Sequence, residues 1–131
     1  ELGLSERVTF VGRQPQDEIV PWYRTLDVFV VPRTNSPVCR TVTPIKPLAA
    51  MALGIPVVAS DLPALQEVTG GLATYFEPEN PEALAAAIRT VMRGPHLGRQ
   101  AQEWAKGRTW SQIGYILRDF YSEIENRRLA S

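Results

Sequence analysis

An internal disulfide is out of reach for this chain of 131 residues, because it has a single cysteine, Cys39. A reducing compartment is the easier reading. Long apolar runs are also missing. None approaches the roughly 20 residues that span a bilayer, and the opening "ELGLSERVTF" lacks the basic-then-apolar order of a secretory signal. Neither sign of charge is in excess, since 14 Lys and Arg balance 14 Asp and Glu. That argues against a protein that wraps nucleic acid or coats an anionic membrane by charge alone. No internal repeat or low-complexity tract is present. The one histidine, His96, has no acidic partner at ligand spacing, so no metal site is read from the sequence. The start lacks Met and resembles the end of a helix, so the chain reads as a fragment or a domain of something longer.

What remains is enough for one compact core, with 44% apolar residues. Short β-branched runs alternate with helical stretches. "RVTFVG" (7–12) is a strand candidate closed by glycine. "QDEIVPWYRTL" has helical spacing, with Pro21 expected to kink it or delay its start. "DVFVVP" (27–32) is apolar on both faces, as a central parallel strand should be. The loop "RTNSPVCRTV" leads to a helix stopped by Gly54, then to "IPVVAS", a second fully apolar strand. "PALQEVTG" reads as a short helix, "LATYFEP" as a strand and "PEALAAAIRTVMRG" as a helix opened by proline and closed by glycine. Beyond Gly94 two helices follow. The second carries Ile113, Ile116, Leu117, Phe120, Tyr121 and Ile124 as an apolar stripe, which must dock on its own domain or on a neighbour. The pattern predicts an α/β fold, a Rossmann-like parallel sheet with flanking helices, in which ligands sit beyond the carboxyl ends of the strands.

"TPIKPLAAMALG" sets two prolines and a lysine at the mouth of a helix. With Thr43 as N-cap and Pro44 as the first helical residue, the open donors are the N–H groups of Ile45 and Lys46, reinforced by the Lys46 ammonium. A lysine in a first turn is unfavourable by about 0.3–1 kcal/mol, and a bound anion reverses that sign. Arg33 and Arg40 lie in the preceding loop and could converge on the same point. Backbone donors with cations at a helix start can hold a phosphate. The plainer alternative has Lys46 and the arginines in solvent.

"LGLSERVTFVG…VPWYRTLDVFVVP…PLAAMALGIPVVASDLPALQEV…GLATYFEPENPEALAAAI" closely resembles the carboxyl-terminal domain of retaining, metal-independent glycosyltransferases with two Rossmann-like domains. The resemblance, to glycosyl transferases of group 1, runs from Leu2 to about Trp110. It implies residues 1–94 as a partial nucleotide-sugar-binding domain, truncated at its amino-terminal side, and residues 95–131 as helices packing on it or on a neighbouring domain. It further implies a nucleotide-diphosphate sugar as donor substrate, no cofactor and no metal, and a polysaccharide or glycolipid acceptor held by a missing amino-terminal domain. The donor diphosphate would lie at Lys46, Ile45, Arg40 and Arg33, the donor sugar and ribose at Thr41, Thr43 and Ala49, and the base near Gly12 and Arg13.

The chain departs from the family where a pair of glutamates eight positions apart is expected. Thr41 and Ala49 stand there. Losing the hydrogen bond from Ala49's position to a ribose hydroxyl costs about 0.5–1.5 kcal/mol, which weakens donor binding without abolishing it. Natural divergence, a weakly active homologue and an engineered change are all compatible with that loss. The family's sheet places two further strands between "VTFVG" and "DVFVV", so bare edges here invite pairing with another copy or an unusual sheet. The fragment is expected to be inactive alone, with no catalytic residue of its own, and the whole protein to be cytoplasmic or peripheral at the inner membrane face. Cys39 reads as a bystander, Glu67 as a support for a loop or a helix cap, and Trp22 and Trp110 as core or interface residues. A non-catalytic assembly or regulatory module is the chief alternative. A nucleotide-sugar epimerase would need acid–base side chains that the lone His96 does not supply.

Overall fold

Proline and glycine set many of the element ends. The computed structural model describes residues 3–129. A 3₁₀ turn at Gln16–Glu18 leads into α1 (Ile19–Arg24), so Pro21 falls in the first turn, where its missing N–H costs nothing. β1 (Phe29–Val31) is followed by α2 (Pro37–Thr41) and α3 (Lys46–Ala52). Gly54, with φ 77°, turns the chain into β2 (Val57–Ser60). Then come α4 (Pro63–Thr69), closed by left-handed Gly70, β3 (Thr74–Phe76) and α5 (Pro81–Arg93). Two more helices follow, α6 (Gly98–Lys106) and α7 (Trp110–Leu129). No helix among the described residues is long and apolar enough to cross a membrane.

The three strands are parallel in the order β1-β2-β3, with Val30 opposite Val58 and Val58 opposite Thr74. Helices on both faces explain why β2 is buried throughout. Val57 and Ala59 enter one core with Met51, Leu62, Leu65, Ala101 and Ala105, whereas Val58 enters a second with Phe76, Ala87 and Val91. The sheet is therefore covered by helices on both faces, as in a Rossmann-like layer. Tyr23 of α1 stacks on Phe29, ring centroids 5.3 Å apart.

Two expectations about strands are corrected. Among the described residues β1 is the edge strand, only partly buried, and β2 is central. Residues 7–12 form no strand: Val8 and Val11 are exposed, and Phe10 is 94% exposed. An extended segment gains its ladder only beside another strand, and nothing described lies beside this one. The expected loop at 33–42 contains α2, because Ser36 accepts from the Cys39 N–H at 3.3 Å and Pro37 takes the first helical position.

α6 packs on α3, and its start lies so close that a Cβ on Gly98 would meet the Gly54 carbonyl at 2.8 Å. His96 shapes that start by accepting the Gly98 N–H on Nδ1 at 3.1 Å. α7 differs: every residue from Lys106 to Arg128 is exposed, including Trp110.

Candidate functional site

One serine joins the carboxyl ends of β1 and β2. The Ser60 hydroxyl, wholly buried, accepts from the Arg33 N–H at 2.8 Å and donates to the Arg33 carbonyl at 2.9 Å. The two bonds satisfy both main-chain groups of Arg33 where the chain leaves β1. From that fixed point the Arg33 guanidinium donates to the Val42 carbonyl at 3.0 Å, closing the loop that leads to α3. Arg40 donates to Asn35 Oδ1 at 2.9 Å, and the Thr41 hydroxyl donates to the Pro37 carbonyl at 3.0 Å.

α3 opens two residues later than the Thr43 cap requires. With Thr43 as N-cap, its carbonyl would accept from residue 47, and Pro47 has no N–H. The first helical bond instead runs from the Ala49 N–H to the Ile45 carbonyl at 3.2 Å, which makes Ile45 the N-cap. Thr43 and Pro44 lie outside the helix. No side chain caps this end. The N–H groups of Ile45, Lys46 and Leu48, and the exposed Lys46 ammonium, have no hydrogen-bond partner among the described residues.

The three cations thus differ in standing: Arg33 and Arg40 hold partners within the loop, and Lys46 is uncommitted. Ala49 is half-buried against the larger core. Gly12 uses a φ of 65° in an exposed, irregular stretch. Arg13 beside it is exposed and makes no hydrogen bond or ion pair among the described residues. No group of three His, Cys, Asp or Glu side chains able to hold a metal ion occurs among the described residues.

A cavity of about 250 Å³ opens at the same end of the sheet, lined by Arg33, Ser60, Phe76, Glu79 and Asn80 among others. Glu79 has a φ of 64°, the one non-glycine residue in the left-handed region among those described. Its carboxylate accepts from the Asn35 N–H at 3.4 Å and so ties the β3–α5 loop to the β1–α2 loop. Sequence reasoning missed Ser60, Asn35 and Glu79. The available signal for Ser60 was a lone hydroxyl closing an otherwise apolar strand.

Cys39, half-buried in α2, has its thiol held below the ordinary cysteine value, chiefly by its hydrogen bond with Ser36. Burial pushes the other way, and Thr34 and Arg33 add to the lowering. Because the folded value is depressed, thiolate formation favours the folded chain above the unfolded thiol's pKa, and that contribution is lost as pH falls through the folded value. The expected outcome is an alkylation rate that rises at lower pH in the folded chain than in urea. Ser36→Ala should move the folded profile upward; unchanged iodoacetamide profiles would refute the assignment.

Residues 1–94 match the family model described as glycosyl transferases group 1. A lipopolysaccharide core biosynthesis mannosyltransferase of Rhizobium meliloti is 47% identical over 72 residues, covering 54% of this chain and 18% of the relative. A D-inositol 3-phosphate glycosyltransferase of Nocardia farcinica is 32% identical over 128 residues, covering 93% of this chain and 27% of the relative. In three dimensions the chain is similar to sucrose-phosphate synthase from Thermosynechococcus elongatus, with a TM-score of 0.78 and 28% identity over 95% of this chain and 32% of that one. The chain therefore spans less than a third of the length of these proteins.

Proposed function

The chain belongs to the glycosyl transferases group 1 family, and we propose that it forms the part that holds a nucleotide-diphosphate sugar for transfer to a polysaccharide or glycolipid acceptor. In this reading the transfer is retaining and of hexosyl type, and neither metal nor cofactor takes part. The acceptor is held by residues outside this chain. The observation that carries the proposal is the uncommitted cation and the open amides at the start of α3, whose leading loop Arg33 ties back to the carboxyl end of β1. A departing diphosphate gains negative charge, and donors fixed in advance at that position stabilise it. Arg33 and Arg40 add positive potential from the same loop without leaving their partners. Thr41 and Thr43 flank the sugar and ribose, Ala49 leaves the ribose without a carboxylate, and Gly12 and Arg13 lie toward the base. One relative named above is a mannosyltransferase of lipopolysaccharide core biosynthesis, which supports a hexosyl group and a glycolipid acceptor. The whole protein acts on the inner side of the membrane in this account, and the unpaired edge of β1 pairs with a further strand, from the same protein or from another copy.

Titration of UDP, GDP and ADP, followed by amide chemical shifts, tests the reading. One diphosphate should perturb Ile45, Lys46 and Leu48, and Lys46→Ala should weaken binding about 10- to 100-fold, the loss of one charge-assisted contact of roughly 1.5–3 kcal/mol. If none of the three moves these amides, the donor site is wrong.

A second reading, a non-catalytic module, is favoured by two specific observations. The Thr41 hydroxyl is committed to Pro37, and a half-buried Ala49 packs against the core, at the two positions where the resemblance leads one to expect carboxylates. The same titration separates the two, because such a module binds none of the nucleotides.

A further inference from the structure

From the strained side chain at this end of the sheet we infer that Glu79 is a positioning residue. Its carboxylate fixes the β1–α2 loop and, through Asn35, the direction of Arg40. Glu79 stands in a turn from Glu77 to Asn80, closed by the Asn80 N–H donating to the Glu77 carbonyl at 3.3 Å. Pro78 is second in that turn and Glu79 third, with a φ of 64°. This is the order of a type II turn, whose third position needs a positive φ and ordinarily takes Gly or Asn. A residue with a larger side chain is strained there. Such strain persists at functional positions, where the surrounding structure holds it.

The role of the side chain is visible across the sheet. β2 separates β1 from β3, so the exits of the two outer strands stand roughly 10 Å apart. Glu79 bridges them by accepting the Asn35 N–H at 3.4 Å. Asn35 in turn accepts the Arg40 guanidinium on Oδ1 at 2.9 Å, and it immediately precedes Ser36, the cap of α2. One residue thus links the two ends of a relay: Glu79 holds its amide, and its side chain holds the cation. The base of the relay is firm. Asn80 accepts the Ala83 N–H at 2.9 Å at the start of α5 and donates to the Glu77 carboxylate at 2.8 Å. The cavity of about 250 Å³ lies between the two loops, with Arg33, Thr34 and Glu79 all on its wall.

Two features set Glu79 apart from an acid that merely faces solvent. A glycine would relieve the backbone, and any neutral residue would keep a negative charge away from the end of the sheet where an anion is to bind. The chain carries Glu despite both. The inference rests on the donor-site reading, because a fixed Arg40 matters where an anion lies in its field.

The wild-type chain, Glu79→Asn and Glu79→Gln test it by three measurements. These are amide exchange at Asn35, the urea midpoint, and affinity for inorganic pyrophosphate read from the Ile45, Lys46 and Leu48 amides. Asn tolerates the left-handed backbone but is one methylene too short for the tie. In Glu79→Asn the Asn35 N–H should exchange about 2- to 10-fold faster, as the loss of one hydrogen bond implies, with the midpoint no lower. Pyrophosphate should bind about 2- to 10-fold more weakly. Glu79→Gln, whose amide oxygen accepts the same bond, should keep both at the wild-type level. Unchanged exchange at Asn35 in Glu79→Asn overturns the inference, as does faster exchange beside unchanged affinity. A midpoint lowered together with protection throughout the sheet makes Glu79 merely structural and overturns it too. Tighter binding by both variants overturns it in favour of a repelling charge. Pyrophosphate that moves none of the three amides in the wild-type chain overturns the donor-site reading, and the inference with it.

Discussion

Gly70→Ala should cost about 2–5 kcal/mol, combining about 1–2 kcal/mol for a left-handed alanine with about 1–3 kcal/mol of overpacking. The backbone there has a φ of 59°, and a Cβ would lie 2.6 Å from Trp104 Cζ2 and 2.7 Å from Cδ2. The indole cannot retreat freely. Its Nε1 donates to the Val68 carbonyl at 3.4 Å, and the Arg108 guanidinium lies over the ring, 4.0 Å from its centroid. Urea unfolding followed by circular dichroism gives the cost. The two contributions separate in a Trp104→Leu background, where the steric part should vanish and only the backbone part of about 1–2 kcal/mol remain. An equal cost in both backgrounds would show that Trp104 does not confine Gly70.

Leu65→Ala should be of similar size, about 2–5 kcal/mol. Leu65 is wholly buried on α4, within the core shared by α3, β2 and α6. Its carbonyl also accepts from the buried Thr69 hydroxyl at 2.7 Å, and that hydroxyl is hydrogen-bonded to Tyr75 on β3. The cavity left by the missing methyl groups therefore lies between a helix and a strand that are already cross-tied, and the walls have little freedom to collapse. A loss below about 1 kcal/mol in urea would mean that the site refills and the core is softer than its burial implies.

The sequence disclosed those parts of the fold that local chemistry decides. β2 and α5 were legible because a β-branched run buried on both faces, and a helix bracketed by Pro81 and Gly94, admit few other conformations. What long-range pairing decides was not legible. Residues 7–12 have strand composition, yet a strand exists only with a neighbour. β1 has the composition of a central strand and lies at the edge among the described residues, because composition does not report which partners are at hand.

The candidate site divides in the same way. The uncommitted Lys46 at the mouth of α3 was foreseeable from the prolines around it. The N-cap was misplaced because two conditions compete there, the preference of a hydroxyl for Thr43 and the absence of an N–H at Pro47, and the second governs. The Ser60 bonds to Arg33 span 27 residues of sequence, and no local pattern announces them.

The close approach of α6 to the backbone at Gly54 bears on where this molecule ends as a physical object. The match to the family model stops at residue 94, but the alanines at 101 and 105 are as much a part of the interior as Met51. Helix α3 is thus sandwiched, with the sheet on one side and residues beyond the matched region on the other. The rigidity of the turn that carries Lys46 is underwritten by a stretch of chain outside the region that the family model matches, so the border of that match is not a mechanical border.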